Sequence, residues 1–215
     1  MGGPEPSTLD PDTYVKNLCD ALAGLSTGQI RAVGDRLAAA WARGATVFVV
    51  GNGGSAATAA HMACDLSKST AVEGGPGLRA VPLLDTAVLT AWANDTSYEE
   101  VFAAQLRTLA SPGDVLVVIS ASGNSPNILK ALAAARACAV ESIALLGFEG
   151  GAAALRADHT ITAYVHHYGL AEDVHLAINH MLTDYLKTLG AVYAPHRRTA
   201  AVPGTEGGGH RGPVG

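Results

Sequence analysis

The chain has 215 residues, 48% of them hydrophobic and 15% charged, with a formal net charge of -5. That length suits one domain with a sizeable core, and the composition excludes a disordered chain except at its ends. No Lys/Arg cluster forms, so nucleic acid is not an expected partner. No apolar run reaches the roughly 18 residues of a transmembrane helix, so no membrane partner is expected either. The opening stretch "MGGPEPSTLDPDTYVK" lacks the basic and apolar regions of a secretory signal. Cys19, Cys64 and Cys138 lie far apart with no CxxC, which reads as reduced, buried thiols of a cytoplasmic protein.

Residues 1–10 and the tail 195–215 are rich in Gly and Pro and are expected to be mobile, flanking one domain over 11–194. Residues 11–43 read as helical, with Leu18, Leu22, Ile30, Val33, Leu37 and Trp41 near helical spacing and a break at "LSTGQ". Gly44 stops this helix. From there strands and helices alternate. "TVFVV" is a strand buried on both faces, followed by an Ala-rich helix over 54–68. "LRAVPLL" is a second strand, and 86–93 and 97–110 are helical. "DVLVVIS" is a third strand and "PNILKALAAARACA" a helix. "SIALLGF" and "HTITAYV" are the fourth and fifth strands, and "GLAEDVHLAINHMLTDYLKTLG" is a long final helix. The alternation implies a parallel sheet with right-handed crossovers, and ligands then bind beyond the C-terminal strand ends.

Two loops stand at those ends. In "ISASGNSPNILKAL", Ser125 precedes a proline and a helical pattern, so it is read as an N-cap with Pro at the first helical position. The helix N–H groups and the hydroxyls of Ser120, Ser122 and Ser125 together offer an anion site that needs no lysine. A capped helix after a solvated turn is the plainer reading, and three serines around a Gly-Asn favour phosphate. In "GNGGSA", Gly51, Gly53 and Ala56 match the dinucleotide pattern G-x-G-x-x-[GA]. That pattern expects an acidic residue about 20 positions on, at the end of the second strand. The second strand ends much further along, at Asp85, so the match is set aside. No P-loop pattern occurs. What remains is a glycine turn that brings backbone N–H groups and Ser55 close to a small ligand.

His61 and Asp65 lie four apart on one helix face, and Glu172 and His180 share a row of the last helix, with His175 on the neighbouring row. Each pair alone is ordinary. Two acid–histidine pairs flanking one cleft suit general acid–base work or a Zn²⁺ site. His166 and His167 read as exposed loop residues, Asn94 and Asp95 as a turn between helices, and Met62 and Met181 as core.

The segments "GNGGSA…HMACDL", "AND", "GDVLVVISASGNSPNILKAL" and "EDVHLAINH" resemble the sugar isomerase (SIS) domain, and within it the phosphoheptose isomerase group, over roughly residues 11–190. The resemblance implies a flavodoxin-like three-layer αβα sandwich around a five-stranded parallel sheet, usually as a homotetramer (or dimer) with active sites between subunits. It implies a ketose–aldose isomerase interconverting sedoheptulose 7-phosphate and D-glycero-D-manno-heptose 7-phosphate. Its phosphate contacts fall on Ser55, Ser120, Ser122 and Ser125, and its sugar contacts on Asn52, Gly53, Asn94 and Asp95. Its catalytic carboxylate falls on Asp65 and its catalytic histidine on His180. Zinc, bound in some members, falls on His61, Asp65, Glu172 and His180.

The chain departs from the group's usual pattern. Asp65 stands where Glu is usual, Glu172 where Gln is common, and Ala121 where Thr is common; the group's basic residue is best matched by Lys68 in a shifted register. These changes leave room for a related ketose phosphate as substrate, or for a protein that binds a phosphosugar without turning it over. Retention of His61, an acid at 65 and His180 argues for the enzyme.

Overall fold

The computed structural model describes residues 8–71 and 75–193. The expected mobility of residues 1–7 and of the tail 195–215 falls outside them. Among the described residues the element order is α1 (Pro11–Ala23), α2 (Thr27–Ala42), β1 (Thr46–Gly51), α3 (Gly54–Cys64), β2 (Arg79–Pro82), α4 (Thr86–Asp95), α5 (Val101–Leu109), β3 (Val115–Ser120), α6 (Pro126–Ala137), β4 (Glu141–Leu146), β5 (His159–Thr162) and α7 (Tyr168–Tyr193). The break at "LSTGQ" is real: Ser26 caps α2, its Oγ accepting from Gln29 N. Asp10 caps α1 in the same way, accepting from the N–H groups of Asp12 and Thr13.

All strand pairs are parallel, in the order β2-β1-β3-β4-β5. Every residue of β1 and β3 is buried. This is why these strands read as unbroken apolar runs: each alternate side chain enters a different core. Val47, Val49, Val115, Val117, Ile143 and Leu145 face α2, α3 and α7. Phe48, Val50, Leu116, Val118, Ala144 and Leu146 face α5 and α6. Helices therefore cover both faces, giving the expected αβα sandwich. The chain leaves β1 toward β2 on one side and toward β3, through α4 and α5, on the other. The order reverses between β1 and β3, which is where a ligand crevice forms in such sheets. The two loops singled out from the sequence are the ones that flank this point.

Four expectations need correction. Cys19 and Cys64 are exposed and Cys138 is partly so, although all three thiols are free. Cys19 is out because α1 buries no residue at all, lying on the outside of the sandwich. Met181 is 37% exposed, one residue beyond exposed His180 on the outer face of α7, whereas Met62 is core as expected. Asn94 and Asp95 are not a turn between helices; they form the last turn of α4. The Ala-rich helix also does not run evenly to 68. It ends at Cys64 and continues as one π-helical turn, Asp65–Ser69.

Candidate active site

Two chemical centres share α3 and α7. The first is a small cavity of about 150 Å³ at the reversal point, lined by Asn52, Ser55, Ser120, Ser122, Ser125, Tyr168 and Glu172. The N-termini of α3 and α6 both open onto it, at Ser55 and Ser125. Their partial positive charges favour an anion there. Ser125 holds the N-cap backbone geometry of α6, but its hydroxyl makes no capping bond and so stays free to bind a ligand. Ser120 Oγ accepts from Gly123 N at 3.1 Å and Ser122 Oγ from Asn124 N at 3.3 Å. Each hydroxyl is thus held as an acceptor, with its own hydrogen left to donate. Among the described residues no Lys or Arg lines the cavity.

The loops are braced from behind. Asn52 and Asn127 form a reciprocal amide pair, Asn52 Nδ2 donating to Asn127 Oδ1 at 2.9 Å and Asn127 Nδ2 to Asn52 Oδ1 at 2.8 Å. Tyr98 Oη also donates to Asn52 Oδ1, at 3.0 Å. Asn127 and Tyr98 escaped the sequence reading; the one hint was a polar residue at the start of an apolar helix. Gly54 leaves room for Glu172, since a Cβ there would collide with the Glu172 carboxylate. That carboxylate therefore sits at the N-terminal end of α3, where the helix dipole favours negative charge.

The second centre lies further along the same helices. His61 Nε2 is 3.3 Å and His180 Nε2 3.8 Å from Asp65 Oδ2. The two imidazoles meet edge to face, with centroids 5.1 Å apart. Both histidines are about half exposed, at 46% and 52% of their side chains, while Asp65 is 17% exposed. Asp65 also opens the π-turn, a distortion frequent at functional sites. One potential ligand atom from each of the three residues lies within 4.8 Å of the others. Ligands about 2 Å from a tetrahedral Zn²⁺ lie about 3.3 Å apart, so two imidazoles and a carboxylate at these separations fit that ion with a coordination position to spare.

Residues 13–147 match the SIS domain family. The phosphoheptose isomerase of Chlorobaculum parvum is 36% identical over 190 residues, covering 86% of this chain and 90% of that protein. The chain belongs to the phosphoheptose isomerase group of the SIS-domain family. The relative from Thiobacillus denitrificans is 42% identical over 152 residues, 69% of this chain and 77% of its own. Among solved structures, the phosphoheptose isomerase of Francisella tularensis aligns with a TM-score of 0.78 at 29% identity, covering 82% of this chain and 96% of that one.

The structure thus brings together His61, Asp65 and His180 in one centre, and Asn52, Ser55, Ser120, Ser122, Ser125 and Glu172 in another. Gly53 is exposed on the turn between β1 and α3. Asn94 and Asp95 join neither centre. Asn94 Nδ2 donates to Asp95 Oδ1 at 2.9 Å, on the exposed end of α4. Glu172, expected as a fourth metal ligand, is not beside the histidines of its own chain. It precedes His180 by eight residues, roughly 12 Å along α7 at the helical rise of 1.5 Å. Lys68 is exposed on the π-turn.

Proposed function

We propose that the protein interconverts sedoheptulose 7-phosphate and D-glycero-D-manno-heptose 7-phosphate by acid–base proton transfer. The observation that carries this reading is the meeting of one half-buried carboxylate with two imidazoles, on the helices that also wall a cation-free hydroxyl pocket. The pocket anchors the phosphate through Ser55, Ser120, Ser122, Ser125 and the helix N-termini. The carboxylate of Asp65 takes the proton from C1 or C2 and returns it to the other carbon, through an enediol. His180 gives a proton to the carbonyl oxygen and accepts one from the neighbouring hydroxyl. No net redox change occurs, and the group that starts as base ends unchanged. His61, Asp65 and His180 would hold a Zn²⁺, which when bound supplies Lewis-acid polarisation of the sugar oxygens.

On a single chain the two centres lie at about the limit of what one extended substrate can reach. Asp65 follows Ser55 by ten residues, roughly 15 Å along the helix at 1.5 Å per residue. A zigzag seven-carbon phosphate, at about 1.5 Å per bond, spans on the order of 10 Å. We therefore place the working site between subunits of a homo-oligomer, a tetramer by analogy with the group, with one chain's pocket and Glu172 facing another's Asp65 and histidines. An unburied, apolar α4, with Val88 37% and Trp92 36% exposed, supplies surface for such association. Three free thiols suit a reducing cytoplasm, and among the described residues no helix is long and apolar enough to cross a membrane.

Purified protein given sedoheptulose 7-phosphate is expected to yield the heptose 7-phosphate, read by chromatography of the dephosphorylated sugars. Asp65→Asn and His180→Ala should each lower kcat by about 10²-fold or more. Full activity in the double variant, or no turnover by the unaltered chain, refutes the assignment.

A further inference from the structure

The third group on Asp65 is neither acid nor histidine. Asn179 is wholly buried, at 0% exposure, between the core residues Ile178 and Leu182 of α7. Its Nδ2 donates to Asp65 Oδ2 at 2.8 Å, closer than either imidazole approaches that oxygen. Its own Oδ1 has no hydrogen-bond partner. A buried, unpaired carbonyl costs about 1–3 kcal/mol, a penalty an aliphatic side chain at this core position would avoid. The one hydrogen bond the amide makes among the described residues points at the cluster.

Asp65 has particular need of a fixed partner. It stands at the first position of a π-turn, where the regular helical ladder is interrupted. Its two histidine neighbours are half exposed. Asn179 is locked by its burial. It holds Oδ2 from the core side, and Oδ1 has no hydrogen bond among the described residues.

We propose that Asn179 is a positioning residue for Asp65, orienting the carboxylate toward the reacting proton and toward any metal held with His61 and His180. The inference rests on the role given to Asp65 above. Asn179→Leu removes the donor while keeping the same branching of side-chain heavy atoms, and full-length variants would be compared with the unaltered protein. Turnover of sedoheptulose 7-phosphate should show kcat lower by about 10–100-fold, with KM within about twofold because the serine pocket is untouched. Zn²⁺ titration of metal-stripped protein should show affinity lower by about tenfold or more. Thr183→Val, which deletes another buried polar group on the same helix face, should leave both readouts unchanged. Asn179→Ser, too short to reach Asp65, carries the same expectations if the leucine variant fails to fold by circular dichroism. Wild-type kcat and Zn²⁺ affinity in the Asn179 variants overturn the proposal, as does an equal loss in Thr183→Val, which would mark a packing effect. If the unaltered protein turns over no ketose phosphate, the isomerase reading fails and the zinc titration alone judges Asn179: tenfold weaker binding upholds it, and equal affinities overturn it.

Discussion

At Gly123, in the middle of the serine loop, φ is +63° and an added Cβ would lie against the Gly150 carbonyl. Both the conformation and the contact belong to backbone, so neither can yield by a side-chain rotation. Gly123→Ala should therefore cost about 1–3 kcal/mol of stability, and it should raise KM more than it lowers kcat, because the hydroxyls of Ser120 and Ser122 are set by this loop. Thermal melts and steady-state kinetics read the two effects separately. Asp65 shows how much one residue can carry. Its side chain is a methylene shorter than the usual glutamate, yet its Oδ2 lies 3.3 and 3.8 Å from the two histidines and 2.8 Å from Asn179. The spacing of His61, Asp65 and His180 was readable in the sequence. The π-turn and the buried amide were not, since each depends on how α3 packs against α7.

On α7 the buried face carries a polar stripe. His175, Asn179 and Thr183 recur every four residues, all at 3% exposure or less, and each holds an unpartnered polar atom. Burial holds the His175 imidazole below its ordinary value of 6.5, an effect that the nearby Leu146 backbone only partly offsets. The consequence for stability has a definite sign. Below pH 6.5 the unfolded chain gains a proton at this residue that the folded chain resists, so stability is present above that pH and is lost as pH falls. The melting temperature should drop more steeply between pH 6.5 and 5 in the unaltered protein than in His175→Leu, as measured by scanning calorimetry; parallel curves would remove His175 from the account. At the far end of the sheet, burial alone would raise the Glu141 carboxyl, but hydrogen bonds from Arg36 and His159 outweigh it and hold it low. Its contribution belongs to a lower window and fades as pH falls below its ordinary value of 4.5.

For the whole molecule, the strand order decides where chemistry is gathered. Reversal between β1 and β3 brings "GNGGS" and "SASGNS" side by side, although about 70 residues separate them. The same layout sets the serine pocket and the Asp65 cluster on the same two helices but several turns apart. This makes a prediction only an assembly can satisfy. A Ser122→Asp chain, with a charge in its pocket, and a His180→Ala chain should each be inert. Co-expressed so that mixed oligomers form, they should regain activity, because a sound pocket can then face a sound cluster. Failure of the mixture to recover, with mixed oligomers verified by mass spectrometry, would place the whole site within one chain.

The sequence by itself determined the sheet, the two loops, the helices that follow them and the residues bearing titratable groups. These features are local: unbroken apolar runs, a serine before a proline, an acid and a histidine four apart. Only the tertiary structure decided that His180 of α7 meets His61 and Asp65, that Asn94 and Asp95 stand apart from both centres, and that Asn52, Asn127 and Tyr98 brace the loops. Distances along a helix are fixed by its rise. Distances between helices are fixed by packing, which no stretch of sequence records on its own.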